Sequence, residues 1–193
     1  MEERLTRVQC IKINLDNMNA LEIHHIETNF TIQEFFEYQE ERLHEIFAKE
    51  QNGLRPYCNL LLQDGSSIFT FMDFEDEAGK LLSIHRIKLL SFVSSAIAYA
   101  GVYEAFMKTV AISNKDYNVN STLGKNFNYE VSMMSDREDV LVMITEHKEN
   151  EGVISNFINW KIEKNSTGRV LTNRSNLGRP DRIIGRVSGI IIP

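Results

Sequence analysis

Apolar and polar positions alternate along this chain with periods that change from one stretch to the next. Ile32, Phe35, Phe36, Leu43, Ile46 and Phe47 fall on one side of a helical wheel, which predicts an amphipathic helix over 32–50. Thr31-Ile32-Gln33-Glu34 has the form of a capping box, in which the threonine oxygen and the glutamate carboxylate satisfy orphan N–H groups reciprocally. Asn52-Gly53 supplies the stop signal. Tyr57 to Gln63 and Ile68 to Phe74 are β-prone runs separated by Asp64-Gly65-Ser66-Ser67, a hairpin signal. Glu75, Asp76 and Glu77 open a second helical pattern over 75–96, with Ala78, Leu81, Leu82, Leu89, Leu90 and Val93 at helical spacing. From Ile97 to Val110 the period returns to two.

Residues 112–130 are asparagine-rich with little apolar period, so they read as an exposed loop. Val140 to Glu146, Val153 to Lys164 and Arg169 to Thr172, joined by glycine-containing turns, read as an antiparallel meander. Residues 4–15 and 21–28 are weaker strand patterns. The closing Ile190-Ile191-Ile192 is expected on a sheet edge or at a dimer interface, because left exposed it would promote aggregation. The expectation is an α+β fold: an antiparallel sheet of about five to seven strands with two helices packed on one face. Residues 1–30 form an N-terminal extension or edge strands, and 31–193 a single α+β domain.

Composition narrows the class. The 193 residues are 42% hydrophobic and 25% charged, near the globular average, which excludes wholesale disorder, collagen-like repeats and coiled coil. No run of 18 apolar residues offers a membrane-crossing helix. The opening Met1-Glu2-Glu3-Arg4 is unlike a secretory leader, so a cytoplasmic location is expected, with Cys10 and Cys58 as reduced thiols. Charge is unevenly spread: residues 1–80 hold 16 acids and 7 bases, whereas 161–193 hold 7 bases and 2 acids. Arg174, Arg179, Arg182 and Arg186 are therefore anion-binding candidates, since arginine forks pair with oxyanions. With a net charge of −6 and few aromatics in that segment, nucleic acid is disfavoured, and docking on the acidic N-terminal half or a second subunit is preferred.

Motifs for chemistry are few. Glu41 and His44 have the Glu-x-x-His spacing of di-iron bundles, but both lie away from the apolar stripe and face water, and no second copy of the motif exists. His24 and His25 are adjacent and on a strand point to opposite faces. Thr122-Leu123-Gly124-Lys125 lacks the first glycine and the final hydroxyl of a phosphate-binding loop. No metal site and no cofactor are expected. The most distinctive polar position is Glu104, set in the apolar alternation Val102-Tyr103-Glu104-Ala105-Phe106-Met107, where burial would raise its pKa. Ser135-Asp136-Arg137-Glu138-Asp139 leads into the strand that follows. An ion pair of Arg137 with Glu104 is the structural expectation. Glu104, Asp136, Arg137 and Glu138 are the catalytic candidates if the two strands are neighbours.

The stretch Glu104-Ala105-Phe106-Met107, followed after a variable loop by Ser135-Asp136-Arg137-Glu138-Asp139-Val140-Leu141, resembles an uncharacterised group of bacterial and phage proteins. That group has a Glu-Ala-Trp-Met strand and a following Ser-x-Arg-Glu-like strand. The resemblance spans about residues 55–193 and implies a shared fold, with no known activity attached. The function expected is that of a cytoplasmic binding or accessory protein without enzymatic activity, a homo-oligomer with a protein partner and no contact with membrane. A small hydrolase-like enzyme using Glu104 and Arg137 is one alternative, and phosphate or nucleic-acid binding through the basic C-terminal segment another.

Overall fold

The computed structural model describes residues 8–13, 21–107, 137–150, 152–176 and 190–191. Their elements run β1 (Val8–Ile13), β2 (Leu21–Ile26), α1 (Ile32–Lys49), β3 (Tyr57–Leu61), β4 (Ser67–Phe71), α2 (Glu77–Val93), β5 (Ala98–Met107), β6 (Glu138–Glu149), β7 (Gly152–Asn165) and β8 (Gly168–Asn176). The fold is α+β. One antiparallel sheet of eight strands, in the order β1-β2-β4-β3-β5-β6-β7-β8, holds the molecule together. The sheet exceeds the expected strand count because residues 8–13 and 21–26 both pair into it. The weak N-terminal patterns are thus part of the one sheet. The loop expected over 112–130 lies outside the described residues.

The helices differ from expectation in one respect: they lie on opposite faces of the sheet. Phe35, Leu43 and Phe47 of α1 belong with Tyr57, Leu61, Ala100, Val102 and Leu141, whereas Ile84 and Ile87 of α2 pack with Cys58, Leu60, Tyr99, Val140 and Ile144. Successive strand residues point to opposite faces, so these sets cannot share a side. Topology gives the reason. Both helices connect strands separated by one intervening strand, and both crossovers step the same way across the sheet, from β2 to β3 and from β4 to β5. Because β2 and β4 run in opposite directions, crossovers of the one preferred hand must pass over opposite faces.

Local signals behave as their chemistry requires. The capping box of α1 is present, with Thr31 N–H donating to Glu34 Oε2 at 2.9 Å and Thr31 Oγ1 accepting from Glu34 N–H at 3.2 Å. Asp76 caps α2 by accepting from Gly79 N–H at 2.6 Å. In the β3–β4 turn, Gly65 takes φ +80°, and Asp64 Oδ1 accepts from both the N–H and the hydroxyl of Ser66. Those two bonds lower the Asp64 pKa. The Ile190-Ile191 segment is neither on a sheet edge nor at an interface. Both residues are buried in the core on the α2 face, and their N–H groups donate to Glu146 Oε2 at 2.7 and 3.0 Å. A carboxylate that is 0% exposed thus anchors two successive peptide groups.

Candidate functional site

Glu104 follows Val102 on the α1 face of β5, near the end of the sheet where the chain enters β3 and leaves β4. Its Oε1 accepts from Leu54 N–H, and its Oε2 meets the Arg169 guanidinium. Arg169 reaches this point because Gly168, at φ +127°, turns the chain into β8 beside the end of α1. Gln51 Oε1 lies so close to Gly168 that no larger residue fits there without moving it, and it accepts the Arg169 N–H at 2.8 Å. The guanidinium covers the Phe47 ring at 4.7 Å and donates to the Glu50 carbonyl at the C-terminus of α1, where positive charge is favoured. Glu104 is therefore half-buried and fully engaged.

The other expected site residues among those described do not join it. The strands β5 and β6 are neighbours, but their register sets Glu104 opposite Leu141. Arg137 is four residues back along β6, about 13 Å away at strand rise. Its guanidinium lies instead over Phe106, at 4.2 Å from the ring centroid. Glu138 pairs with Lys161 at 3.5 Å. Asp136 lies outside the described residues, as do Arg179, Arg182 and Arg186. Arg174 forms a fork with Glu40, at 2.5 and 3.0 Å, and that carboxylate raises its pKa. One arginine of the basic segment thus meets an acid of the N-terminal half. His24 meets Glu22 and His25 meets Ser66, on different partners. Among the described residues, no three His, Cys, Asp or Glu side chains converge as metal ligands.

Glu104 and Leu54 form one wall of a cleft of about 670 Å³ that wraps around the end of the sheet. Phe71 and Phe74 give it apolar walls, Met72 and Ser83 lie deep in it, and Glu22, Asp73 and Glu75 stand at its rim. Arg55 stacks on Phe71 at 4.1 Å. The cleft shares Glu22, Leu54, Arg55 and Phe71 with a second groove of about 710 Å³ on the α1 face, lined by Tyr38, Tyr57 and Phe69. Arg86, on α2, also lines the cleft. Its Nε and Nη2 are buried and make no hydrogen bond. None of the four acids around the cleft reaches them: Glu104 is held by Arg169, Asp73 Oδ1 accepts from Glu75 N–H, and Glu22 meets His24. Ser83, one turn before Arg86, is occupied with the Asp73 backbone.

A buried N–H left without an acceptor costs about 1–3 kcal/mol. Groups of this kind are exceptions in folded proteins and recur where a ligand supplies the missing partner. Sequence reasoning passed over Arg86 because it stands next to His85 in a helix of ordinary appearance. The only signal was a cation directly beside the buried positions Ser83, Ile84 and Ile87.

The chain matches no protein-family model, no curated protein and no solved structure. The resemblance of its 104–141 strands to the Glu-Ala-Trp-Met group therefore rests on those residues alone. No helix among the described residues is long and apolar enough to cross a membrane.

Proposed function

We propose that this protein is a binding protein, without catalytic function, for a small organic molecule that carries a single anionic head on an apolar, preferably aromatic, body. The observation that carries the reading is Arg86, which lines the cleft and whose buried Nε and Nη2 have no acceptor of their own. A carboxylate presents two oxygens in the plane and spacing that a guanidinium fork matches. Phe71 and Phe74 suit an aromatic body, and the adjoining groove beside Tyr57 and Phe69 extends the apolar surface. The rim acids Glu22, Asp73 and Glu75 repel polyanions such as nucleotides, and favour a monoanion or a molecule with an amine at its far end. Glu104 and Arg169 act as a fixed wall, each satisfied by the other.

The test is titration of isotope-labelled protein with phenylacetate, L-phenylalanine and ATP, following the Arg86 Nε–H resonance. The expected result is a saturable shift with the two aromatic carboxylates, none with phenylacetamide or ATP, and loss of the effect in Arg86→Met. Equal responses in wild type and Arg86→Met, or no response to any carboxylate, would overturn the reading.

A further inference from the structure

The groove on the α1 face has a polar floor whose hydrogen-bonding capacity the fold leaves half used. Helix α1 packs over β3, β5, β6 and β7 through Leu43 and Phe47, so the aromatic residues of β4 stand beside it rather than beneath it. Tyr38, Arg42 and Ile46, spaced by four residues along α1, form one wall of the resulting groove, and Phe69 and Phe71 of β4 form the other side. Deep between them lie Gln39 and Asn59. Asn59 Nδ2 donates to Gln39 Oε1 at 2.6 Å, and the two residues are 1% and 5% exposed.

That one bond satisfies only half of the amide pair. Gln39 Nε2 and Asn59 Oδ1 have no hydrogen-bond partner among the described residues. Turning both amides over exchanges their roles and still leaves one N–H and one carbonyl oxygen to offer. Tyr57, itself 1% exposed, lines the same groove, and its hydroxyl is buried without a partner among the described residues. The Arg42 guanidinium on the groove wall lowers the Tyr57 pKa against the larger rise caused by burial, which sets the phenol within electrostatic reach of that wall. Tyr99, whose hydroxyl is also orphaned, lines neither the groove nor the cleft. An amide donor, an amide acceptor and an unpartnered phenol around one opening are what the polar edge of a ligand requires, because each is costly to leave unmade.

Charge and shape narrow the ligand. Two arginines, Arg42 and Arg55, are matched around the groove by Glu22 and Glu50, so it favours a neutral guest. The Tyr57 and Phe69 rings lie 5.5 Å apart at 35°, and Phe69 meets Phe71 edge-on at 4.9 Å, surfaces on which a flat ring stacks. We propose that this groove is a binding site for a neutral, planar aromatic or heteroaromatic molecule with an amide edge, its carbonyl accepting from Gln39 and Tyr57 and its N–H donating to Asn59. The two cavities adjoin at Leu54 and Phe71, but this site stands whether or not Arg86 holds a carboxylate.

Benzamide is the simplest probe. Titrated into isotope-labelled protein, it should move the side-chain amide signals of Gln39 and Asn59 saturably and leave the Arg86 Nε–H resonance in place. N,N-dimethylbenzamide keeps the ring and the carbonyl but has no N–H, so it should bind roughly tenfold more weakly. Tyr57→Phe removes the orphaned oxygen and keeps the ring. It should therefore fold with undiminished stability yet weaken benzamide about threefold to tenfold, a split that a purely structural tyrosine would not show. Arg86→Met should bind benzamide as wild type does. Equal affinity for the two benzamides, or wild-type affinity in Tyr57→Phe, would overturn the proposal. So would a phenylacetate response at Arg86 with no saturable benzamide response at Gln39 and Asn59, which would leave the anion site standing. Benzamide binding with no carboxylate response at Arg86 would uphold the groove and remove the anion site.

Discussion

Tyr99 lies along its own strand, with its hydroxyl over Gly101 two residues on, so that a methyl group at 101 would overlap the phenol oxygen. The ring is fully buried and the hydroxyl has no hydrogen-bond partner. These facts set opposite expectations for two small substitutions. Gly101→Ala should cost about 2–3 kcal/mol through overpacking. Tyr99→Phe should be neutral or stabilise by up to about 1 kcal/mol, since it removes an unsatisfied polar atom. Urea unfolding midpoints of both variants check the pair. At this scale the sequence was legible where a residue broke its surroundings: Glu104 stood out in an apolar alternation and is half-buried. Its partner was not legible. Arg169 reaches it from β8, two strands beyond β6, and no local pattern links the two positions. Arg137 was close in the pairing of β5 and β6 but out of register, which strand alternation alone cannot fix.

Elements were read well where one stripe dominates. In α1, Phe35, Leu43 and Phe47 are buried as the wheel requires. Gln39 is the exception, buried with its carbonyl oxygen accepting from Asn59 Nδ2 at 2.6 Å, and a polar residue on a buried face is invisible to a hydrophobic count. The apolar positions of α2, though at helical spacing, divide between two sides: Leu90 packs against the core while Leu82, Leu89 and Val93 are exposed. A helix apolar on two sides has no single direction to read. Its start was nonetheless clear from the acids at 75–77. Because Asp76 supplies the oxygen that satisfies Gly79 N–H, Asp76→Ala should cost about 1 kcal/mol, as should Thr31→Ala at the head of α1. Thermal unfolding of the two variants provides the comparison, with Asp76→Asn expected to retain most of the stability.

At the scale of the molecule, the class and the antiparallel sheet followed from strand periods and turn residues. The placement of the helices needed the order of the strands, which depends on pairings between β2 and β4 and between β3 and β5 that no turn specifies. The three-layer arrangement buries Cys58, Tyr57, Tyr99 and Tyr103, and burial pushes all four pKa values up. The folded state therefore keeps protons that the unfolded chain has released once pH exceeds the ordinary thiol and phenol values. These four groups add no pH dependence below that point, and their contribution should make stability fall as pH rises from about 8.5 to about 11. Chemical denaturation across this range measures the slope, and Tyr99→Phe should make it shallower.

The pairing of β6 with β7 has a consequence for the order in which the chain acquires its structure. Ten consecutive residue pairs close around the connection between Glu149 and Gly152, the latter at φ +143°. So short a loop has a small closure entropy, and a hairpin of this kind forms within microseconds. Strand β3 is in the opposite position: its neighbour β5 arrives only after β4 and the whole of α2 have been laid down. Local contacts thus accumulate at the C-terminal meander before the crossovers of the N-terminal half can contribute. The cleft with Arg86, lined by the approach to β3, the end of β4, α2 and Glu104 of β5, draws on contacts of this longer-range kind.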